Sequence, residues 1–346
     1  MKKVFLFMAA FIVSIGLIAA SAANTIAASS GKVIELQMAD WDPPAAPICK
    51  TTQAWADMIN KLTNGKVKIT VYFGGTLLKF SEVYRGIQTG LVDIGYYVVG
   101  TDPGLIPLNE VVTLPFLGFS SREQLNTIYG KLMGDSRISG EFKGVKVLGW
   151  NAMPGSQLHL TKRAVHVPAD LKGLKVIASG RTAEYAQANG ASPVNLGVGD
   201  WASSLQKNLV EGQFVHFPAA MALRTLELFT NHTVYGDSGV GMGLDMYIIN
   251  QKLWDSFTPD IQKAFNEATA WRQQEMLKVD SGQIQAALNY CNTHKQVIYT
   301  PTAAEMKLWK ASAKPLAEKW IADMDAKGLA GQAVYDEVQQ LIKETK

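Results

Sequence analysis

The sequence is short of the features that announce chemistry. Its 346 residues hold only two cysteines, Cys49 and Cys291, which allow at most one disulfide, and their separation does not decide whether it forms. Charged residues make up 18%, below the ~25% of an average domain. With a net charge of +3 and no block of like charge, no strong field points to nucleic acid or a membrane surface. There is no low-complexity linker and no short-period repeat. None of the five histidines, His159, His166, His216, His232 and His294, pairs with a histidine or cysteine at metal-ligand spacing. No glycine-rich loop ends in Lys-Ser or Lys-Thr, and no dinucleotide fingerprint follows a strand. No metal or other cofactor is expected, nor any catalytic residue. The one catalytic look-alike, Gly236-Asp237-Ser238-Gly239, imitates the nucleophile loop of trypsin-like proteases. That nucleophile needs a histidine base held by a buried aspartate in an all-β fold, and His159 and His166 lack that setting. A glycine-rich loop is the simpler reading, and a secreted hydrolase using Ser238 is the competing one.

What is present begins at the amino terminus. Lys2 and Lys3 precede an uncharged apolar run, Val4 to Ala20, followed by small residues through Ala28. Positive start, apolar core and small-residue site read as a secretory signal peptide over 1–28, removed on export to the periplasm. No later segment is apolar over the ~20 residues a membrane span needs.

Beyond it, strand and helix patterns alternate. Strands are expected at Val33–Ala39, Val67–Tyr72, Val92–Val99, Val145–Trp150, Leu174–Ala178, Ser192–Leu196 and Tyr247–Asn250. Helices are expected from Cys49 to Leu62, from a Ser81 cap to Thr89, from Thr182 to Asn189 and from an Asp200 cap to Leu209. Long amphipathic helices follow from Asp260 toward Tyr290 and from Ala303 toward Met324, with a shorter one from Gly331 to Lys343. Repeated strand-helix-strand units imply an α/β architecture with mainly parallel sheets, and two sets of units imply two sheets. Such folds bind ligands at strand carboxyl ends or between domains. Trp41, Tyr96, Trp150 and Arg181 each lie at or just past a strand end.

Several stretches resemble the extracytoplasmic solute-binding subunit of tripartite ATP-independent periplasmic (TRAP) transporters, the DctP-like family. They are Thr63-Asn64-Gly65-Lys66-Val67 with Gly74-Gly75-Thr76-Leu77, Gly86 to Ile94, Leu114-Pro115-Phe116-Leu117, and Pro168 to Val176 with Gly190-Ala191-Ser192-Pro193-Val194. Leu205 to Gln213, Asn250 to Trp254 and Pro259 to Ala264 complete the order. The resemblance implies a two-lobed periplasmic-binding-protein-like fold with two mixed, mainly parallel sheets, hinge segments and a long helix spanning both lobes. Lobe I is expected at 29–154 plus about 243–285, and lobe II at 155–242 plus about 286–346. It also implies a monomer that takes a small organic acid, closes over it and delivers it to membrane permease subunits, with no nucleotide.

The sequence departs from that family at the expected ligand grip. Where the family has a carboxylate-clamping arginine after the Leu-Lys-Gly-Leu-Lys segment, this chain has Ile177. An upstream position that is arginine in some sialic-acid-binding members matches Gln157, and Gly212-Gln213 leads to Phe214-Val215-His216 in place of an asparagine. Arg181, at the start of a helix, is the expected replacement for the anion site, because free amides there favour an anion. Trp41, Tyr96, Trp150, Trp201 and Phe214 supply expected aromatic contacts, and His159 and His216 expected hydrogen bonds. With both arginines gone, a neutral or cationic solute is the alternative ligand class.

Overall fold

The structure, a computed structural model, describes residues 32–345; the expected signal segment 1–28 lies outside the described residues. Among the described residues eleven strands form two sheets. The first, ordered β2-β1-β3-β10-β4, contains β1 (Ile34–Ala39), β2 (Val67–Tyr72), β3 (Ile94–Val98), β4 (Val145–Ala152) and β10 (Leu244–Asn250). The second, ordered β11-β9-β5-β8-β6-β7, contains β5 (Gln157–Leu160), β6 (Lys175–Ile177), β7 (Ser192–Val194), β8 (Gly212–Val215), β9 (Asn231–Thr233) and β11 (Val297–Tyr299). Five of the nine strand pairings are parallel, so both sheets are mixed and the parallel majority is slight.

The local chemistry accounts for the main elements. Pro47 opens α1 (Pro47–Leu62), where its missing N–H is no loss. Trp55, Ala56 and Ile59 then share its buried face, against Leu36, Val67 and Ile69 of the first sheet. A 3-10 turn, Phe80–Glu82, precedes α2 (Val83–Thr89), so the expected cap at Ser81 is corrected: the chain is already helical there and Ser81 caps nothing. Asp200 does precede a helix, α6 (Trp201–Gln206), but its backbone is itself helical and its side chain makes no cap bond. Helices α3 (Arg122–Leu132), α4 (Ser136–Ser139), α5 (Gly180–Ala188), α7 (Phe217–Ala222) and α8 (Gln251–Asp255) complete the connections.

Three long or late helices tie the sheets together. α9 (Pro259–Thr293) has 35 residues and is about 52 Å long. Its first half buries Ile261, Phe265 and Ala268 with Trp55 and Tyr247 of the first sheet's core. Its second half buries Ala287 and Cys291 with Val215 and Phe217 beside the second sheet. α10 (Ala303–Ala326) starts with a capping box of Thr302 and Glu305, packs Trp309 and Ala313 on the second sheet, and packs Trp320 and Met324 on the first. α11 (Gly331–Glu344), inside the range expected for lobe II, buries Val334 and Val338 in the first sheet's core with Val111 and Leu125.

The chain crosses between sheets at β4–β5 and back at β9–β10, and the two crossings run side by side. Gly155 donates its N–H to the Asp237 carbonyl at 3.2 Å, Ser156 to Gly241 at 3.0 Å, and Val240 to Ser156 at 2.8 Å. A Cβ on Gly155 would sit 2.1 Å from the Ser238 backbone, and one on Gly239 would sit 2.2 Å from the Ser156 carbonyl. Only glycine permits this close approach. The Gly-Asp-Ser-Gly segment is therefore part of the hinge, and Ser238 donates its hydroxyl to the Phe119 carbonyl. Cys49 and Cys291 are both buried and unpaired with each other. Among the described residues no helix is long and apolar enough to cross a membrane.

Candidate ligand cleft

Strand direction gathers one set of polar residues at one edge of the first sheet. Parallel β1 and β3 both end there; antiparallel β10 begins there, with Asp245 opposite Val98 of β3 and Asn151 of β4. Just past β1 the chain turns through Asp40-Trp41-Asp42-Pro43, with the Asp40 N–H still donating to the Tyr72 carbonyl of β2 at 3.0 Å. Asp40 is buried and accepts the Asp42 N–H at 2.9 Å. The Thr52 hydroxyl lies 3.4 Å from Asp40 and 2.7 Å from the Tyr247 hydroxyl. Trp41 stacks on Tyr96 at 5.5 Å and takes the edge of Phe80 at 4.7 Å.

Helix α9 brings the opposite charge. Arg272 is only 2% exposed, lies 3.8 Å over the Tyr247 ring and 5.8 Å from the Tyr96 ring, and sets both terminal nitrogens 3.4 Å from one Asp245 oxygen. Two turns further, Asp280 binds Arg122 of α3 at 3.0 Å, and Arg122 also donates to the Ser281 hydroxyl at 2.8 Å and toward the Leu277 carbonyl. From the second sheet's side comes half-buried His216, which caps α7 by accepting the Ala219 N–H at 3.2 Å.

Burial governs the electrostatics. It raises the Asp40 carboxyl to about 6 and the Asp280 carboxyl to about 7, against the pull of Arg272 and Arg122. It also raises Asp42, assisted by the neighbouring Asp40 charge, and Asp245, opposed by Arg272. Burial and the nearby Arg122 charge hold His216 at about 4, so its ring is neutral at pH 7. Four aspartates thus share this region with two arginines. Several buried polar atoms in it have no hydrogen-bond partner among the described residues: Arg272 Nε, Asp42 Oδ2, Trp41 Nε1 and Asn151 Oδ1. Buried polar groups are normally paired, because an unmade bond costs about 1–3 kcal/mol. A hollow of about 140 Å³ lies elsewhere, beside the hinge, lined by Val112, Phe116, Tyr235, Val240 and Met242. Lys310 is the one charged residue in its lining, so it holds no charge pair.

The nine residues singled out from the sequence do not converge. Trp41 and Tyr96 meet at the strand ends with Arg272, and His216 lies near enough to Arg122 to feel its charge. The other six are bound into the framework. Arg181 is held by Glu110 at 2.7 Å and Glu184 at 2.8 Å, joining α5 to the turn Asn109–Thr113. Gln157 accepts the Tyr235 N–H and donates to the Gly155 and Gly236 carbonyls, fastening the hinge. His159 is fully buried, 2.7 Å from His232 and 3.0 Å from the Val215 carbonyl; burial holds it well below the ordinary histidine range. Phe214 is core. Trp150 donates to the Asn126 carbonyl and packs on Tyr129, and Trp201 donates to the Leu196 carbonyl. Ile177 is 2% exposed and packs with Leu205, Val210 and Phe229. Sequence reasoning missed Asp40, Asp42, Asp245, Asp280, Arg122 and Arg272.

This architecture has known counterparts. A family model described as bacterial extracellular solute-binding protein, family 7 (DctP), matches residues 38–323. The 2,3-diketo-L-gulonate-binding periplasmic protein of Escherichia coli strain K12 is 25% identical over 217 residues, which is 60% of this chain and 63% of that protein, so the match spans just under two thirds of the relative. A TRAP solute-binding protein from an unidentified marine microbe, specific for aromatic acids and solved with metahydroxyphenylacetate, superposes with a TM-score of 0.83 at 22% identity, covering 90% of this chain and 99% of that one. A TRAP periplasmic solute-binding protein from Bordetella bronchiseptica with bound mandelate gives a TM-score of 0.78 at 19% identity, covering 90% and 100%. The two-lobed fold, the hinge crossings and a family match over most of the described residues lead to one conclusion: this chain belongs to the DctP family of TRAP solute-binding proteins.

Proposed function

We propose that the protein captures a small organic acid in the cleft between its lobes, closes over it by rotation at the Gly155–Gly239 crossing, and releases it unchanged to a TRAP-type membrane permease. The observation that carries this reading is Arg272: a buried guanidinium at the strand ends, against an aromatic wall, with an unpartnered N–H. A planar guanidinium suits a carboxylate. The acids named for the marine and Bordetella proteins, one aromatic and one a hydroxy acid with a phenyl ring, fit a wall of Trp41 and Tyr96. In this reading Trp41, Tyr96, His216, Arg122 and Arg272 line the ligand, and Arg181, Gln157, His159, Phe214, Trp150 and Trp201 maintain the frame. Lobe I comprises 29–154, about 243–285 and α11; lobe II comprises 155–242 and most of the remainder. Residues 1–28 direct export to the periplasm and are removed, and the mature protein acts as a monomer without catalysis.

The test is a melting series with mandelate, 3-hydroxybenzoate, a sugar acid, neutral polyols and amines. A true ligand at 100 times its dissociation constant adds ~2.7 kcal/mol of stability. Shifts confined to polyols or carboxylate-free amines overturn the acid reading, and a new product mass after incubation overturns the receptor reading.

A further inference from the structure

The charges of the cleft do not balance, and the imbalance has a location. Asp280 owns Arg122. Asp245 faces both terminal nitrogens of Arg272. Asp40 and Asp42, two residues apart past the end of β1, have no salt-bridge partner among the described residues. A solute that brought only a carboxylate would add a further negative charge beside them. The unpartnered atoms have both polarities: the Arg272 Nε–H needs an acceptor, and Asp42 Oδ2 needs a donor. Arg272 is 2% exposed, so bulk water does not satisfy it. A plain acid answers only the arginine, and a plain amine answers only the aspartate. The adjoining rings already tolerate a cation, since Arg272 lies 3.8 Å over Tyr247 and 5.8 Å from Tyr96.

Building on the carboxylate reading above, we propose that the solute is a zwitterion, a small acid that also carries an ammonium or other cationic group, with the cation against Asp40 and Asp42 and the carboxylate against Arg272. Burial keeps both aspartates above the usual carboxylate range in the free protein, which limits the repulsion between them until the cation arrives.

Calorimetric titration of matched probes tests this: mandelate, phenylglycine and benzylamine as one set, and propionate, β-alanine and ethylamine as a second. At least one zwitterion is expected to bind ~10-fold or more tightly than the acid of its own set, the ratio that one charge-assisted hydrogen bond supplies. Asp42→Asn is expected to abolish that advantage and leave the affinity for the acid unchanged or higher. Asp40→Asn, checked by its melting temperature, serves as the second variant. Acids that bind as tightly as their zwitterions overturn the proposal and leave the carboxylate reading standing; binding of the amines alone overturns both. A panel in which no zwitterion binds overturns the proposal, as does an Asp42→Asn protein that retains the preference.

Discussion

The two sides of the candidate cleft are built on opposite principles. The first sheet's edge carries charge: Asp40, Asp42 and Asp245, set against Arg272 from α9, with tyrosine rings between. The second sheet's edge carries no unpaired charge of this kind: Arg181 past β6 is held by Glu110 and Glu184, Ile177 stands where the family resemblance places an arginine, Phe214 is core and His216 is neutral. Both walls obey the same rule, that a buried charge must be paired or absent. The second wall solves it by absence at Ile177 and by full pairing at Arg181. The first solves it by partial pairing, and so keeps unpaired buried atoms, which in the proposed reading a solute satisfies.

The contrast can be broken most severely from the charged side. Arg272→Ala removes the cation facing Asp245 and is expected to cost about 3–5 kcal/mol in denaturant unfolding. Ile177→Arg gives the second wall the charge it lacks. With Leu205, Val210 and Phe229 as neighbours it is expected to cost about 3 kcal/mol, without improving acid binding in calorimetry. Asp40→Asn relieves the first wall and is expected to raise stability at pH 8 by roughly 1–3 kcal/mol. The sign follows from linkage. Asp40 and Asp280 titrate in the fold at about 6 and 7, above the ordinary 3.8, so their contribution is full below about pH 4 and lost as pH rises through those values. His216 and His232, held at about 4 below an ordinary 6.5, contribute fully above 6.5 and lose that as pH falls through 4. Between pH 6.5 and 8 the aspartates act alone, and the ligand-free protein is expected to melt at lower temperature as pH rises, with a shallower slope in Asp40→Asn. The smallest effect is expected at Arg181→Ala: about 1 kcal/mol, and affinity within twofold of the parent. A tenfold loss of affinity would return Arg181 to the site.

Much of the fold was legible because it rests on periodicity. β2 and the end of α1 fall on their expected residues, and α9 was recognisable as one long amphipathic run. The strands that escaped, β5, β8, β9 and β11, span three or four residues. β5 and β8 are buried at every position, so they carry no alternation to detect. α3 had a signal that went unused: Ser121 caps it by accepting the Gln124 N–H, with Gln124 at the third helical position. Missing α3 meant missing Arg122. The other cleft charges were hidden differently. Asp40 and Asp42 sit in a segment that reads as a strand break, and Arg272 and Asp280 resemble the solvated face of any long helix. Composition does not reveal that a charged residue is buried; that depends on which element arrives opposite.

The insertion of β10 between β3 and β4 has a consequence for how the protein is made. The first sheet lacks a central strand until residue 250 has left the ribosome, after every strand of the second sheet except β11. Neither half of the chain is a self-sufficient folding unit, and pairings this far apart in sequence slow folding. The same threading that runs the two crossings side by side at Gly155 and Gly239 delays completion of the first sheet, which in the proposed reading would leave an exported chain unfolded until it has crossed the membrane.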